Sequence, residues 1–333
     1  MTQDLVVQMN EALRSLDINA RCVNAKQHRH LAFFDLYLDQ GSRIRKIEMS
    51  ARELGLLLKS KTTPIVVPYP EKGVVRVKVA FREADILPLD GLFKRELVPH
   101  GILPFLIGES DSGELLWLDM ATLPHLLVSG ASGSGKSCLL HVIIANALAR
   151  KDVDLYLSDP KFGVEFGIYK DSACIAKDYD ETMAMLDVLR IIMDKRYSLM
   201  EVMGIRNVID CPNVFNKIIV IIDEVADLMI QDSRKKNPRR GGFEESLCSL
   251  AAKARAAGIY IILATQRPSV DVLTGLIKTN FPARLACKVS SGIDSKVILD
   301  QVGAENLLGR GDAIIKSPVH DFVRFQCAFV GKI

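Results

Sequence analysis

A glycine-rich segment, GASGSGKS at residues 130–137, has the residue types and the spacing that suit the binding of a phosphate chain. In such a turn, successive backbone N–H groups point at phosphate oxygens, and the following helix N-terminus adds positive potential. Lys136 is expected to reach the β- and γ-phosphates, and the Ser137 hydroxyl to bind Mg²⁺. The segment matches G-x-x-x-x-G-K-[ST] at every position and predicts an ATP site made of Gly130, Ala131, Ser132, Gly133, Ser134, Gly135, Lys136 and Ser137.

Two adjacent carboxylates, Asp223 and Glu224, follow the apolar run IIVII at residues 218–222. Ligands of open α/β sheets bind beyond the carboxyl ends of the strands, which is where these side chains emerge. Asp223 is expected to hold Mg²⁺, and Glu224 to polarise the attacking water as a general base. The alternative is a solvated acidic pair that only ends a strand.

A third polar residue, Gln266, stands at the end of the strand-like run IYIILATQ. If this strand lies beside the one that carries Asp223, the Gln266 amide is near the γ-phosphate. There it could donate to phosphate and accept from water, and so sense whether the γ-phosphate is present. The alternative is a strand-end side chain that hydrogen-bonds to backbone.

Basic residues near these elements suggest further contacts. From spacing alone, Arg255 in LAAKARAAG is a solvated helix-end cation, and an arginine finger for the ATP of a neighbouring subunit is the alternative. Arg267 and Lys278 flank a loop beyond Gln266, where a phosphate backbone is the expected target. The basic tract SRKKNPRRGG at residues 233–242 is expected to be an exposed loop, which either lies beside a shared DNA channel or is only a solvated basic face.

The elements that position these residues fall into two groups. From about residue 115 onward, short apolar strands alternate with helices, which predicts a parallel, doubly wound sheet. The first third reads as a small α+β module, with strands at residues 31–38 and 74–81. Between them, Ser50 and Glu53 form a capping-box pattern ahead of a helix. We expect domains at residues 1–108 and 109–333.

Composition limits the class of protein. No window of 18 or more uncharged apolar residues exists and the N-terminus lacks a signal-peptide pattern, so we expect a cytoplasmic protein. The seven cysteines form no CxxC pair and are read as core or filler residues. A net charge of +3 neither requires nor excludes a nucleic acid partner.

Several long segments resemble the FtsK/SpoIIIE family of double-stranded DNA translocases. They are DPK (159–161), RYSLMEVMGIRN (196–207), IIDEVADLM (221–229), AAKARAAGIYIILATQRPSVDVLTGLIKTN (251–280) and VSSGIDSKVILDQVGAENLLGRGDAI (289–314). The resemblance covers residues 110–333 and extends more weakly over 30–108, which is similar to the small α domain preceding the motor in that family.

The resemblance implies a RecA-like P-loop NTPase that works as a homohexameric ring around duplex DNA and hydrolyses ATP with Mg²⁺. It implies that Lys136, Ser137, Asp223 and Glu224 form the hydrolytic centre and that Gln266 is the sensor. It makes Arg255 the inter-subunit finger, and it places Thr265, Arg267 and Lys278 at DNA phosphates.

The sequence also departs from the family pattern. Gly292 stands where the family usually has a lysine, so one DNA contact is expected to be missing. We expect neither a membrane anchor nor a C-terminal winged helix, as in a translocase reduced to its motor, which is either carried by a mobile element or trimmed from a longer protein.

Two other functions stay open at this level. One is a related ATPase that drives protein export, or DNA transfer or packaging for a mobile element. The other is a nucleotide-gated assembly module that hydrolyses ATP slowly without translocation. Stimulation of ATP hydrolysis by duplex DNA would separate a protein-export ATPase from a DNA translocase.

Overall fold

The computed structural model describes residues 2–123, 125–235 and 242–331, and these contain two β-sheets. The smaller sheet lies in the N-terminal unit, residues 2–80. The elements of this unit are α1 (Thr2–Ser15), β1 (Ala20–His28), β2 (Leu31–Leu38), α2 (Ile44–Met49), α3 (Ala51–Leu57), β3 (Ile65–Tyr69) and β4 (Val74–Ala80).

The N-terminal unit is an antiparallel sheet in the order β1-β2-β4-β3, packed against α1 and α3. Met9 and Leu13 of α1 join Phe34, Leu54 and Val77 in its apolar core. The strands predicted at residues 31–38 and 74–81 are confirmed as β2 and β4. The predicted capping box is wrong, because the Ser50 side chain makes no cap hydrogen bond to α3.

The face of β4 that the sequence assigns to solvent is covered. Val75 and Val77 are buried as expected, but Lys78 is also buried, with only 3% of its surface exposed. Its ammonium group forms an ion pair with Asp111, which lies outside the N-terminal unit. Period-two alternation identifies the strand, but it cannot reveal a second layer that packs over the polar face.

The larger sheet contains the remaining strands among the described residues. In chain order the elements are β5 (Leu87–Pro88), α4 (Leu89–Phe93), β6 (Pro104–Ser110), β7 (Leu115–Asp119), β8 (His125–Ser129), α5 (Lys136–Leu148), β9 (Val153–Ser158), β10 (Cys174–Ala176), α6 (Tyr179–Met203), β11 (Lys217–Ile222), α7 (Val225–Lys235), α8 (Phe243–Ala254), β12 (Ile259–Thr265), α9 (Gly275–Asn280), β13 (Ala283–Cys287), α10 (Gly292–Leu299), β14 (Asp312–Lys316) and β15 (Val323–Phe329).

This sheet runs in the order β10-β9-β11-β12-β8-β13-β14-β15-β6-β7, and β5 pairs with β15. The strands from β10 to β13 are parallel, while β14, β15, β6 and β7 continue the sheet in antiparallel fashion. The predicted parallel sheet is confirmed for its first six strands. The predicted domain boundary at residue 108 falls inside β6, which already belongs to the larger sheet.

Helices cover both faces of the parallel part. Helix α5 contributes Leu139 and Ile143 to one apolar layer, whereas α6 and α8 contribute Leu189 and Leu247 to the other. All six residues of β11 are buried between the two layers, as expected for a central parallel strand. None of the helices in the described ranges combines the length and apolar character that crossing a bilayer requires.

Candidate functional site

Three neighbouring parallel strands bring the predicted chemical groups to one edge of the sheet. Strand β12 lies between β11 and β8, with Ile222 paired to Leu263 and Thr265 paired to Ser129. Residues 130–137, called the phosphate loop below, follow β8 directly. Because the three strands are parallel, this loop, Asp223 with Glu224, and Gln266 all emerge at the same carboxyl edge.

The phosphate loop has backbone conformations that require glycine. Gly133 has a φ of +74° and Gly135 has a φ of +105°, both in the left-handed region. The loop and the first turn of α5 border a cavity of about 260 Å³, lined by Ala131, Ser132, Gly133, Gly135, Lys136, Ser137, Cys138 and Gln266. Six of the eight predicted ATP residues and the predicted sensor therefore line one cavity, whereas Gly130 and Ser134 do not line it.

A second segment packs against the phosphate loop from behind. The backbone N–H of Gly311 donates to Ser134 O at 2.9 Å. A Cβ on Gly135 would lie 2.3 Å from Gly311 N, so the two backbones are in contact and leave no space for a side chain. On another side, Ala131 N donates to Lys288 O at 2.8 Å. We assigned no role to Lys288, Arg310 or Gly311 from the sequence, although the glycines flanking Arg310 in GRGD were the available signal.

Lys136 and Asp223 form a buried ion pair across the site. Each residue exposes only 3% of its surface. The Lys136 ammonium group contacts the Asp223 carboxylate, and it also donates to the Asp223 backbone carbonyl at 3.0 Å. Because a buried charge without a partner is costly, a phosphate that draws Lys136 away leaves the Asp223 carboxylate in need of another cation.

The residues present fit a magnesium ion in that role. The Asp223 carboxylate and the Ser137 hydroxyl offer the hard oxygen donors that Mg²⁺ prefers, and Mg²⁺ is commonly held by one or two carboxylates together with substrate phosphates. Within the described residues, no group of three or more His, Cys, Asp or Glu side chains could hold a metal by itself. A site of this kind depends on the phosphates of a bound nucleotide to complete it.

Glu224 is oriented by the tip of the neighbouring strand. Its Oε1 accepts from the Thr265 hydroxyl at 2.7 Å, and its two oxygens accept from the Gln266 backbone N–H at 3.2 and 3.1 Å. Only 4% of Glu224 is exposed. The Gln266 side chain makes no hydrogen bond to any described residue and lines the nucleotide cavity instead.

Thr265 lies at a different place from the one expected. The resemblance places it at DNA phosphates, but in this structure it has no exposed surface and its hydroxyl donates to Glu224. A direct contact between this side chain and DNA is incompatible with that burial. No pattern in the sequence indicates that Thr265, the residue before the predicted sensor, donates a hydrogen bond to the predicted base Glu224.

Arg255 cannot reach the nucleotide site of its own chain. It is exposed at the end of α8, just before β12 begins, whereas Gln266 follows the other end of that strand. Seven strand residues at about 3.3 Å each separate these ends by roughly 20 Å. Its position therefore agrees only with a role outside its own site.

The two cations predicted to contact DNA, Arg267 and Lys278, differ in how available their side chains are to a phosphate. Arg267 is exposed directly beyond Gln266. Lys278 forms an ion pair with Asp300 at 2.7 Å, and Asp300 also pairs with Arg284. A phosphate would therefore have to compete with Asp300 for Lys278. The predicted basic loop at 233–242 lies mostly outside the described residues.

The cysteines agree with a filler role only in part. Cys22, Cys248, Cys287 and Cys327 are buried. Cys287 packs beneath Gly130, and burial raises the pKa of its thiol to about 12. The filler reading is wrong for Cys174, which is exposed beside β9.

Comparison with known proteins identifies related sequences. A family model described as the FtsK/SpoIIIE family matches residues 95–217 and 210–270, more than half of the chain. The DNA translocase FtsK of Treponema pallidum is 34% identical over 356 residues, which cover 100% of this chain and 43% of that protein. The DNA translocase FtsK of Streptococcus agalactiae is 35% identical over 346 residues, covering 97% of this chain and 41% of that protein. The chain thus spans about two fifths of the length of these curated relatives.

Solved structures share the fold. The pCW3 conjugation coupling protein TcpA, determined as a monomer with ATPγS, superposes with a TM-score of 0.69 at 24% identity, over 98% of this chain and 96% of that one. The cytoplasmic domain of the Thermomonospora curvata type VII secretion ATPase EccC superposes with a TM-score of 0.60 at 24% identity, over 69% of this chain and 29% of that one. The larger sheet therefore has the RecA-like P-loop ATPase fold.

Proposed function

The chain belongs to the FtsK/SpoIIIE family, and from that premise we propose that it is an ATP-driven motor that moves along double-stranded DNA. One observation carries this proposal. The phosphate loop, the Asp223–Glu224 pair and the Gln266 tip lie at one sheet edge and are bonded to one another through Lys136–Asp223 and Thr265–Glu224. These are the groups that one subunit needs for binding a phosphoanhydride, activating water and sensing the γ-phosphate.

The residues divide the hydrolysis of ATP among them. The backbone N–H groups of the phosphate loop bind the β- and γ-phosphates, and Lys136 turns from Asp223 to the phosphate oxygens. Mg²⁺ held by Ser137 and Asp223 would neutralise charge on those oxygens. Glu224, fixed by Thr265, takes the proton of the attacking water. Gln266 lines the same cavity and contacts the γ-phosphate.

The link from ATP to DNA is supported by a short run of bonds. The Arg267 backbone N–H donates to the Thr265 hydroxyl oxygen at 3.0 Å, and that hydroxyl donates to Glu224 at 2.7 Å. A shift of Glu224 on hydrolysis therefore moves the backbone that carries the exposed Arg267. In the proposed hexameric ring, Arg267 and Lys278 contact phosphates of duplex DNA, and Arg255 completes the site of the neighbouring subunit.

The test of translocation is displacement of a triplex-forming strand from linear duplex DNA. We expect displacement by the wild type with ATP and Mg²⁺, and none with ATPγS or with the Lys136→Ala variant. Hydrolysis of ATP should also rise when duplex DNA is added. An export ATPase or a slow assembly module would hydrolyse ATP at the same rate with and without DNA, and that result would reject the DNA motor.

The DNA contacts are tested with the double variant Arg267→Ala, Lys278→Ala. Basal hydrolysis should persist, because neither side chain touches the phosphate loop, whereas stimulation by DNA should disappear. Loss of about two phosphate contacts should also flatten the dependence of log K on log salt by roughly 1.8. Exchange of two exposed lysines away from this edge, Lys59 and Lys72, provides the matched control. Unchanged stimulation in the double variant would remove these residues from the DNA contact.

A further inference from the structure

Glu109 of β6 is the point at which the N-terminal unit is fixed to the larger sheet. Only 1% of its side chain is exposed. Arg29, in the turn between β1 and β2, donates to it through Nε at 2.6 Å and through Nη2 at 3.2 Å. His28 Nε2 lies 2.7 Å from the same carboxylate, and Arg95 also contacts it. A buried carboxylate that is held by two arginines and a histidine fixes the turn firmly.

The next contact leads from Glu109 to the segment behind the phosphate loop. Gln326 of β15 stands directly opposite Glu109 in the antiparallel ladder. Its Nε2 donates to the backbone carbonyl of Arg310 at 2.9 Å. Gln326 is 5% exposed, so this bond is shielded from water. The Gln326 side chain therefore fixes the position of the Arg310–Gly311 backbone relative to the paired strands β6 and β15.

The last contact reaches the phosphate loop itself. Gly311 donates its N–H to Ser134 O at 2.9 Å, and its own carbonyl accepts from Cys327 N at 2.7 Å. A Cβ on Gly135 would meet Gly311 N at 2.3 Å, which means that the two backbones cannot approach further. Any displacement of Arg310–Gly311 is consequently passed to Ser134 and Gly135 of the phosphate loop, which borders the nucleotide cavity.

We propose that Glu109 and Gln326 are positioning residues for ATP, which transmit the docking of the N-terminal turn to the phosphate loop. The proposal rests on the proposed ATPase function. Phosphate binding by backbone N–H groups depends on their directions, so a loop whose support has loosened binds nucleotide less well without losing its catalytic groups. The N-terminal unit thereby acts on nucleotide affinity within its own chain.

A second contact between the same two parts offers a matched control. Lys78 of β4 pairs with Asp111, just beyond β6, and no hydrogen bond among the described residues joins either of them to Gln326, Arg310 or the phosphate loop. Replacing Lys78 loosens the docking of the N-terminal unit without cutting the Glu109–Gln326–Arg310 route. The two variants therefore distinguish a general loosening of the N-terminal unit from loss of the contacts that lead from Glu109 through Gln326 to Arg310.

The first experiment measures KM and kcat for ATP in Gln326→Met and Lys78→Met, with thermal midpoints to show that both variants are folded. Gln326→Met removes the bond to Arg310 while keeping the side-chain length. It should raise KM about fivefold, the effect of one hydrogen bond, and leave kcat within about twofold. Lys78→Met should leave KM unchanged. An unchanged KM in Gln326→Met, or the same rise in Lys78→Met, overturns the proposal.

A double-mutant cycle tests whether the turn and the loop communicate. Arg29→Ala and Gln326→Met should each raise KM, and together they should raise it by less than the product of the single effects, because both cut one route. Combining Lys78→Met with Gln326→Met should give no coupling. Independent effects of Arg29→Ala and Gln326→Met would contradict the route.

Binding of a fluorescent ATP analogue to the same proteins separates this inference from the proposed function. If the wild type binds no nucleotide, the ATPase proposal fails. If the wild type binds and Gln326→Met binds equally well, only the positioning proposal fails.

Discussion

At the scale of single residues, some parts of the nucleotide site can be located from the spacing of residues in the sequence, and others depend on how the strands pack. The motif at 130–137 and the Asp223–Glu224 pair could be located from residue type alone, because their chemistry requires particular side chains after apolar strands. The role of Thr265 could not, since its hydroxyl becomes relevant only when β12 lies beside β11. Which polar residue meets which is decided by strand order, and the sequence does not state that order.

Replacement of Glu224 by glutamine tests its part in hydrolysis. Glu224→Gln keeps the size of the side chain but removes the proton acceptor. We expect hydrolysis to fall by about 10²–10⁴-fold, the usual contribution of a general base, while binding of a fluorescent ATP analogue changes little. Asp227→Asn, on the following helix α7, is the matched carboxylate control. Retention of more than about a tenth of wild-type turnover in Glu224→Gln would assign the base to another group.

His125, at the start of β8, couples stability to pH. Its Nε2 lies 2.9 Å from the Ala251 carbonyl, and its Nδ1 accepts from Ile261 N at 3.0 Å. A proton on Nδ1 would face another donor. Burial, opposed only in part by the bond to Ala251, lowers the pKa of His125 from 6.5 to about 4. The folded protein therefore keeps this histidine neutral where the unfolded chain protonates it.

The free energy of unfolding should consequently fall as the pH drops from about 6.5 to 4. In that window the unfolded state binds the proton and the folded state does not, so the loss amounts to about 3 kcal/mol for this one residue. Denaturant unfolding at pH 7 and pH 4.5 measures it. The contribution of His125 is the difference between wild type and His125→Gln, since other groups also titrate. Parallel pH profiles for the two proteins would be the contrary result.

At the scale of elements, strands and helices with strong periodicity were predictable, and their contacts with other layers were not. The apolar run of β11 and the alternation of apolar and basic residues in β4 correctly predicted these two strands. The sequence did not reveal that Lys78 pairs with Asp111, or that Gly311 of the GRGD segment packs against the phosphate loop. Both depend on pairs of residues far apart in the chain, which no local pattern records.

The first turn of α10 offers an element on which a DNA contact can be built. Gly292 opens this helix, where the Ser291 side chain accepts from Asp294 N. A Cβ at Gly292 would lie 3.4 Å from Val302 Cγ1, an ordinary contact, so a longer side chain fits without strain. The resemblance to the family implies a lysine at this position, and the backbone here has room for a Cβ.

Gly292→Lys should therefore strengthen binding to duplex DNA. One added phosphate contact should make the slope of log K against log salt more negative by about 0.9. Binding titrations at several salt concentrations measure the slope, and Gly292→Ala controls for the change in helix propensity. Equal slopes for the lysine and alanine variants would show that α10 does not face the DNA, or that Glu305 captures the new ammonium group.

At the scale of the whole molecule, the placement of Arg255 bears on assembly. It lies roughly 20 Å from the Gln266 end of β12, so its guanidinium group belongs to the opposite edge of the sheet. In a head-to-tail ring one subunit presents the phosphate edge and its neighbour presents the Arg255 edge. Active sites shared in this way can be complemented between two different defective subunits.

Mixing Arg255→Ala subunits with Lys136→Ala subunits should restore part of the ATP hydrolysis that each lacks alone. In the mixture, an intact phosphate loop of one variant meets an intact Arg255 of the other. Hydrolysis is measured across mixing ratios, and it should peak near equal amounts. A mixture of Lys136→Ala with Glu224→Gln is the control, because both changes damage the same edge. Activity that never exceeds the sum of the separate variants would argue against shared sites.

The packing of Gly311 on Gly135 has a consequence for how the protein is made. A ribosome delivers the glycine-rich turn early and delivers its supporting backbone only after the whole parallel sheet has been synthesised. The hairpin of β6 and β7 waits equally long for β15. Contacts between residues so far apart in the sequence are slow to form. Until they form, the nascent chain has no folded binding site for ATP. Bound ATP can therefore stabilise only the fully folded domain, and it does not stabilise the folding intermediates that precede it.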